Sequence, residues 1–252
     1  MSAGRMLRRL LFPPRCAACG VLLKSGMSHE PKALCRECLV KWDAQKNALC
    51  HCCGYPVADC TRPVPMMPRH GMHTLIKLVE YEPQKRSGVG NRVIFKLKDR
   101  DSIELQEFLA EELVPSIQKQ LTMLGQTVEN AVLVWAPRSK KAERERGFDQ
   151  SKRLCTALAR KLGMQKPICM LSRTGGREQK LLGQEQRARN AFSAFKAIPG
   201  HCEQLKGKCV ILVDDVVTTG STLSACAAKL RAYKPTDIIA VCVAVDVPAK
   251  NE

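Results

Sequence analysis

The sequence predicts an α/β fold, with a mainly parallel sheet flanked by helices and a small metal-binding module in front of it. From Leu75 onward, short apolar runs that fit strands alternate with segments whose apolar residues recur every three or four positions, as in helices. Before this region, eight of the 14 cysteines cluster between Cys16 and Cys60. A chain of 252 residues that is 45% hydrophobic can bury one core of ordinary domain size and carry such a module.

The elements predicted after the cysteine-rich region are strands and helices in alternation. In chain order they are a strand at 75–81, helices at 89–98 and 103–114, a strand at 131–135, helices at 148–162 and 184–192, a strand at 210–213, a helix at 221–233 and a strand at 238–245. Prolines and methionines make 62–72 resemble a linker, and the charged stretch 137–146 resembles a mobile loop. We therefore expect a zinc-ribbon module at 1–65 and the α/β domain at 66–252.

The cysteines are expected to be reduced. No apolar run approaches the roughly 18 residues of a membrane helix, and no signal-peptide core precedes Pro13 and Pro14. We therefore expect a cytoplasmic protein, in which clustered cysteines bind metal rather than form disulfides. The six cysteines from Cys155 to Cys242 have no metal-binding spacing and are predicted to be buried in the core.

The first cysteine cluster has the pattern of a zinc ribbon. Cys16 and Cys19 form one CxxC motif, Cys35 and Cys38 form another, and fifteen residues separate them. At this spacing two tight turns fold back on each other and present four thiolates to one tetrahedral zinc ion. Four thiolates leave no open position, so the predicted role of this zinc is structural.

A second cluster repeats the pattern incompletely. Cys50 and Cys53 form a CxxC motif and Cys60 follows, but Pro63 stands where a further CxxC motif would end. Zinc accepts cysteine or histidine but needs four donors. The sequence leaves the fourth ligand open, with four candidates: His51, Cys52, His70 and His73.

The segment 210–222, with the sequence VILVDDVVTTGST, predicts a phosphate site. Four aliphatic residues indicate a buried strand, and a small polar loop after the two acids leads into a helix that begins near Ser221. A chain that leaves a parallel strand and enters a helix gathers free N–H groups and the positive helix end around one point. The predicted ligand-binding residues of this loop are Val217, Thr218, Thr219, Gly220, Ser221 and Thr222.

The two acids at the strand end predict the other half of the ligand. Asp214 and Asp215 would repel a phosphate, so we expect them to bind ribose hydroxyls, directly or through Mg²⁺. Phosphate on one side and a diol on the other describe a ribose 5-phosphate. The alternative is the magnesium-binding strand of an NTPase, which is disfavoured because the sequence contains no GxxxxGK[ST] motif.

Residues 210–222 match the phosphoribosyl pyrophosphate signature of type I phosphoribosyltransferases at all thirteen positions. The chain as a whole resembles the ComF/GntX family of competence and DNA-utilisation proteins. The shared features besides this loop are the cysteine knuckles, Phe95-Lys96-Leu97-Lys98, Arg146-Gly147-Phe148-Asp149-Gln150, 179–182 and 187–192. The sequence departs from the family pattern at Asp149, where asparagine is usual, and at Pro63, where the second knuckle usually has a cysteine.

The resemblance implies a type I phosphoribosyltransferase fold that binds phosphoribosyl pyrophosphate and Mg²⁺, in a protein acting in DNA uptake or in the use of DNA as a nutrient. The implied site residues are Asp214 and Asp215, with Arg146 as the predicted cation for the pyrophosphate. Three functions stay open: a binding protein, an active phosphoribosyltransferase on a small nucleobase-like acceptor, and a non-catalytic zinc-ribbon scaffold for competence or uptake proteins.

Charge predicts a polyanionic partner. The chain has 41 basic and 24 acidic residues, a net charge of +17. The segment 136–196 contains 16 basic and 5 acidic residues, so +11 of this surplus is concentrated there. Single-stranded DNA is the predicted partner, because backbone charge dominates such binding. Its predicted contacts are Lys140, Lys141, Arg144, Arg187 and Arg189, while a solvated helix face is the alternative interpretation of the run around Arg144.

Overall fold

The computed structural model of the chain describes residues 13–23, 33–85, 87–174 and 192–247. The predicted helix at 184–192, apart from its last residue, lies outside the described residues, as do Arg187 and Arg189. Within them, no helix is long and apolar enough to cross a membrane.

The described elements follow the predicted alternation of strands and helices. The strands are β1 Thr74–Ile76, β2 Val79–Tyr81, β3 Ala131–Trp135, β4 Leu171–Arg173, β5 Phe195–Ala197, β6 Cys209–Val213, β7 Val216–Val217, β8 Asp237–Val241 and β9 Ala244–Asp246. The helices are α1 Arg36–Lys46, α2 Val89–Asp99, α3 Ile103–Met123, α4 Lys140–Arg146, α5 Gln150–Leu162, α6 Pro199–Cys202 and α7 Ser221–Arg231.

The main sheet is parallel, as predicted. In the described part of the chain its order is β1-β8-β6-β3, and a second parallel sheet, β2-β9-β7, continues three of these strands. Buried aliphatic residues fill both sides of the central strand β6, which has no exposed position. A strand buried on both faces needs helices on both sides, and this confirms the α/β class.

The strands predicted at 75–81 and 238–245 are each broken in two, at the same level of the sheet. The breaks fall at residues 77–78, 214–215 and 242–243, between β1 and β2, β6 and β7, and β8 and β9. The pairing register is the same on both sides, since Val213 pairs with Val241 and Val216 pairs with Ala244. The break therefore leaves the strand alignment intact but frees the acid pair from regular ladder geometry.

The predicted mobile loop at 137–146 is largely helical, so that prediction was wrong, and the predicted linker at 62–72 is packed on the domain. Residues 140–146 form helix α4, because the Ser139 hydroxyl caps it by accepting from the Ala142 N–H at 3.2 Å. The stretch 62–72 packs on the domain: Met67 and Met72 are fully buried, and the Arg231 guanidinium donates to the Gly71 carbonyl at 2.5 Å.

The cysteine module shares a core with the α/β domain. Trp42 of α1 is fully buried and belongs to the same apolar cluster as residues of α2, α3 and the main sheet. Its ring lies 5.9 Å from that of Phe108, and its indole N–H donates to the Glu112 carboxylate at 3.1 Å. Lys46 also contacts Glu112. One aromatic anchor with a satisfied polar end therefore holds the module on helix α3.

We predict that Trp42→Ala lowers the free energy of unfolding by about 3–5 kcal/mol, because truncating a buried tryptophan removes its packing and leaves a cavity. The matched control is Val40→Ala on the same helix, whose position is 64% exposed and should change little. Urea unfolding of the zinc-loaded protein measures both. Equal midpoints for the two variants would show that Trp42 contributes little to the shared core.

Candidate functional site

The first cysteine cluster has the geometry of a tetrahedral metal site. The sulfurs of Cys16, Cys19, Cys35 and Cys38 lie within 4.8 Å of one another. A zinc–sulfur bond of about 2.3 Å places sulfurs about 3.8 Å apart at the edges of a tetrahedron. The Cys19 and Cys35 sulfurs are 3.7 Å apart. The predicted ligands come together, and they fit a structural zinc.

Local backbone geometry explains why these thiols converge. The Gly20 N–H donates to the Cys16 carbonyl at 2.9 Å, and Gly20 closes this knuckle with a φ of 77°, which favours glycine. Burial disfavours the thiolate of Cys16. Backbone N–H groups of Cys19, Cys35 and Ala18 more than compensate, and they lower the pKa of Cys16 to about 7. The turn thus prepares a thiolate for metal binding.

The second cluster brings three predicted ligands together. The sulfurs of Cys50, Cys53 and Cys60 all lie within 4.8 Å of one another. Two candidates for a fourth ligand are engaged elsewhere: the His51 ring contacts the Glu80 carboxylate, and the His70 ring stacks 4.6 Å from Phe192. Cys52 is exposed. Three thiols converge, and the described residues add no fourth donor to them.

The acid pair occupies the break between β6 and β7. Both carboxylates are buried, with Asp214 9% and Asp215 7% exposed. Asp214 Oδ1 accepts from the Ser151 hydroxyl at 2.8 Å and from the Asp215 N–H at 2.9 Å. Asp215 Oδ1 accepts from the Val216 N–H at 2.9 Å. The pair is therefore held in a fixed orientation at the carboxyl end of the sheet, where ligands of open α/β sheets bind.

The surroundings of Asp214 strongly perturb its pKa. Burial and, second, the neighbouring charge of Asp215 raise the pKa of Asp214 to about 8, although the Ser151 hydroxyl opposes the shift. A carboxyl that is hard to ionise in its own protein favours a ligand that brings positive charge. A divalent cation is such a ligand.

The predicted phosphate loop has the expected form. Gly220 is left-handed, with a φ of 79°, and caps helix α7, while Thr218 and Thr219 are exposed. The Thr219 hydroxyl hydrogen-bonds that of Ser221 at 2.6 Å. The other loop members are Val217, which is buried, and Thr222, which is half-buried.

The glycine also meets the segment 62–72. A Cβ on Gly220 would come within 2.5 Å of Val64, and the Ser224 hydroxyl donates to the Met66 carbonyl at 3.2 Å. The segment that connects the ribbon to the domain therefore packs against the loop and the first turn of helix α7.

The structure identifies Arg138 as a site residue that the sequence analysis missed. Its guanidinium pairs with Asp215 Oδ2 at 2.8 Å, and its backbone N–H donates to the Asp149 carboxylate at 2.9 Å. Its Nε is buried with no hydrogen-bond partner in the described part of the chain. Arg138 lies 77 residues before Asp215, so no local pattern connects the two. The sequence offered one signal for Arg138, which is that it lies three residues after the end of strand β3.

Arg146, the predicted cation for the pyrophosphate, contacts the backbone of helix α2. It is exposed, and its guanidinium donates to the backbone carbonyl of Lys98 at 2.7 Å. Gln150 donates to the same carbonyl at 3.0 Å. The Lys98 ammonium lies 4.7 Å from the Tyr81 ring centre; burial lowers the pKa of Lys98, and the Asp215 charge opposes this. The RGFDQ motif thus holds the backbone of a second cation near the acid pair.

The predicted DNA contacts within the described residues are exposed on α4. Lys140, Lys141 and Arg144 point away from buried surroundings, and Lys141 lies 3.9 Å from Glu145. These side chains therefore form an exposed helix face, which is compatible with both DNA contact and the alternative of a solvated face. The prediction of buried later cysteines is confirmed at five positions and wrong at Cys169, which is exposed and donates to the Leu171 carbonyl at 3.2 Å.

Family models match both parts of the chain. A double zinc ribbon domain matches residues 7–66, and a phosphoribosyl transferase domain matches residues 152–252. The chain therefore combines a double zinc ribbon with a phosphoribosyl transferase domain on an α/β sheet.

The chain is similar to curated relatives over most of its length. The chain is 28% identical over 221 residues to the DNA utilization proteins YhgH of Salmonella typhimurium and Escherichia coli K12, covering 85% of this chain and 89% of each relative. These matches confirm the resemblance to the ComF/GntX family. The crystal structure of TT1426 from Thermus thermophilus matches 61% of this chain and 86% of its own, with 18% identity and a TM-score of 0.31.

We predict that Cys35→Ser removes one zinc per chain and lowers stability, because a closed thiolate site contributes directly to folding. Cys169→Ser, at an exposed cysteine outside both clusters, should leave metal content and stability unchanged. Elemental analysis and thermal unfolding report the two quantities. Unchanged zinc in folded Cys35→Ser protein would exclude the first site.

We predict that stability falls as pH rises towards 8 and that Asp214→Asn makes this fall shallower. The pKa of Asp214 is raised from 3.8 to about 8 on folding, so the native state binds this proton more tightly than the unfolded chain. The resulting stabilisation is complete below the unfolded pKa and is lost as pH rises through about 8.

Urea midpoints at several pH values test this prediction, with the exposed Asp99→Asn as the control. Parallel pH profiles for wild type and Asp214→Asn would show that the shift is absent.

Proposed function

We propose that the chain binds phosphoribosyl pyrophosphate at the break between β6 and β7 and acts, like its relatives, in the utilisation of DNA. The observation that carries the proposal is the buried acid pair, held in fixed orientation directly before a loop that enters helix α7. The signature match over 210–222 and the phosphoribosyl transferase model support the same ligand.

The two ends of the ligand are assigned by charge. The exposed hydroxyls of Thr218 and Thr219 and the N–H groups at the start of α7 suit the 5-phosphate. Asp214 and Asp215 suit the ribose hydroxyls and Mg²⁺, whose preferred ligands are carboxylate and hydroxyl oxygens. Mg²⁺, when bound, would neutralise the pyrophosphate and favour ionised Asp214.

The pyrophosphate of the proposed ligand is anionic, so the part of the site that binds it needs fixed positive charge next to the two acids. Arg138 pairs with Asp215 through Nη2, and its guanidinium carries further N–H donors, so it can donate to an anionic ligand without breaking that pair. Lys98 is the second cation. Arg146 is assigned to positioning through the Lys98 carbonyl.

If the chain is catalytic, the reaction is displacement of pyrophosphate at the anomeric carbon by an acceptor nucleophile. The arrangement would orient the sugar and stabilise the leaving group, with no covalent protein intermediate. Release of pyrophosphate from phosphoribosyl pyrophosphate, measured with candidate bases and with DNA, separates an enzyme from a sensor and from a scaffold for uptake proteins.

Single-stranded DNA is the second proposed ligand. Helix α4, with its exposed Lys140, Lys141 and Arg144, ends at Arg146, which contacts the Lys98 backbone beside the acid pair. A DNA backbone on α4 would therefore lie close to the phosphoribosyl pyrophosphate site. Arg187 and Arg189 extend the proposed surface by sequence alone.

We predict that the double variant Asp214→Asn with Asp215→Asn weakens phosphoribosyl pyrophosphate binding by at least tenfold, because each charged acceptor contributes about 1.5–3 kcal/mol. Calorimetry with Mg²⁺ measures the affinity. Asp99→Asn, at the exposed end of α2, is the matched control. Unchanged affinity in the folded double variant would remove both the enzyme and the sensor proposals and leave the scaffold.

We predict that affinity for single-stranded DNA falls steeply with salt, and that the triple variant Lys140→Ala, Lys141→Ala, Arg144→Ala reduces the slope of log affinity against log salt by about 2. The control replaces three exposed lysines outside α4 with alanine: Lys119, Lys166 and Lys206. Fluorescence anisotropy gives both slopes. Equal slopes for the two triple variants would place DNA elsewhere.

A further inference from the structure

The second cysteine cluster is built like the first, with one corner missing. The Gly54 N–H donates to the Cys50 carbonyl at 2.9 Å, and Gly54 has a φ of 72°, as in the knuckle around Gly20. Cys50 and Cys60 are buried, and their sulfurs lie within 4.8 Å of each other and of Cys53. Three thiols from two turns therefore face one point, which suits three corners of a tetrahedral zinc site.

A buried lysine lies against this cluster. Lys77 is only 3% exposed and occupies the break between β1 and β2. Its ammonium donates to the Cys60 carbonyl at 2.8 Å, which places the ammonium beside this cluster. No carboxylate of the described residues lies within 4.0 Å of it. An ammonium taken out of water needs a counter-charge, and the thiols are the groups that can supply it.

Charge decides which state of the cluster suits Lys77. Zinc with three thiolates and a neutral donor carries a net charge of −1, which one ammonium neutralises. A fourth thiolate would leave −1 uncompensated, and three neutral thiols would leave the ammonium without a counter-charge. Pro63 stands where the fourth cysteine would be, so the sequence and the charge count agree.

A double zinc ribbon implies a second zinc ion, which Cys50, Cys53 and Cys60 would hold. We propose that the fourth position of this ion is open to a neutral donor, water or an imidazole, and that Lys77 is the counter-charge of the site. Lys77 lies outside residues 7–66, which match the double zinc ribbon. The site is therefore completed by a strand of the α/β domain. It differs from the first cluster, which four thiolates close.

Metal content of Lys77 variants tests the counter-charge. Wild type should hold two zinc ions, and Lys77→Met should weaken one of them by roughly 10- to 100-fold, as loss of an outer partner does at other metal sites. Lys77→Arg keeps the charge and should retain the ion more tightly than Lys77→Met. Lys46→Met removes another partly buried lysine of the ribbon, which contacts Glu112, and should leave both ions in place.

Cobalt substitution of the wild-type protein tests the open position even if Lys77 variants do not fold. Added imidazole should change the visible spectrum of one cobalt ion of two, because the four-thiolate site has no free position. Three results would overturn the proposal: a single zinc in wild type, two equally tight ions in folded Lys77→Met, or spectra of two four-thiolate ions that imidazole leaves unchanged. None of these results depends on phosphoribosyl pyrophosphate or DNA.

Discussion

The shared break in three neighbouring parallel strands is the constraint on which the candidate sites depend. It leaves the register unchanged, so the core on both sides stays aligned, but it releases one short level of the sheet from ladder geometry. That level contains Lys77 on one strand and Asp214 and Asp215 on another. A regular strand would turn successive side chains to opposite faces. At the break, each acid accepts a hydrogen bond from the backbone N–H of the next residue, which holds both carboxylates in place.

The broken level of the sheet also connects the cysteine module with the α/β domain. Lys77 reaches from the sheet to the second cysteine cluster, and the segment after Cys60 continues to Val64 and Met66, which contact Gly220 and Ser224 of the phosphate loop and helix. Trp42 adds a buried anchor on helix α3. The ribbon is therefore packed into the domain.

The acid pair and the cations beside it form one electrostatic unit. Asp214 is disfavoured as an anion by burial, and Asp215 is balanced by Arg138. The RGFDQ motif organises this balance indirectly. Asp149 fixes the backbone of Arg138, while Arg146 and Gln150 fix the backbone of Lys98. Arg146 would thus act on the candidate site through the backbone of Lys98.

The sequence by itself determined the features that depend on local spacing. The two cysteine knuckles, the strand, acid pair and loop of 210–222, and the alternation of strands and helices were all predicted, because each is encoded within one or two turns of chain. The helix cap at Ser139 is equally local, but the high charge of residues 137–146 led to the prediction of a loop instead of helix α4. Only the tertiary structure identified Arg138 and Lys77 and gave Lys98, part of the shared motif at 95–98, its position, since each acts through a partner distant in sequence or through a backbone carbonyl. Such contacts form when the sheet and the core bring distant segments together, so the spacing of residues along the sequence does not predict them.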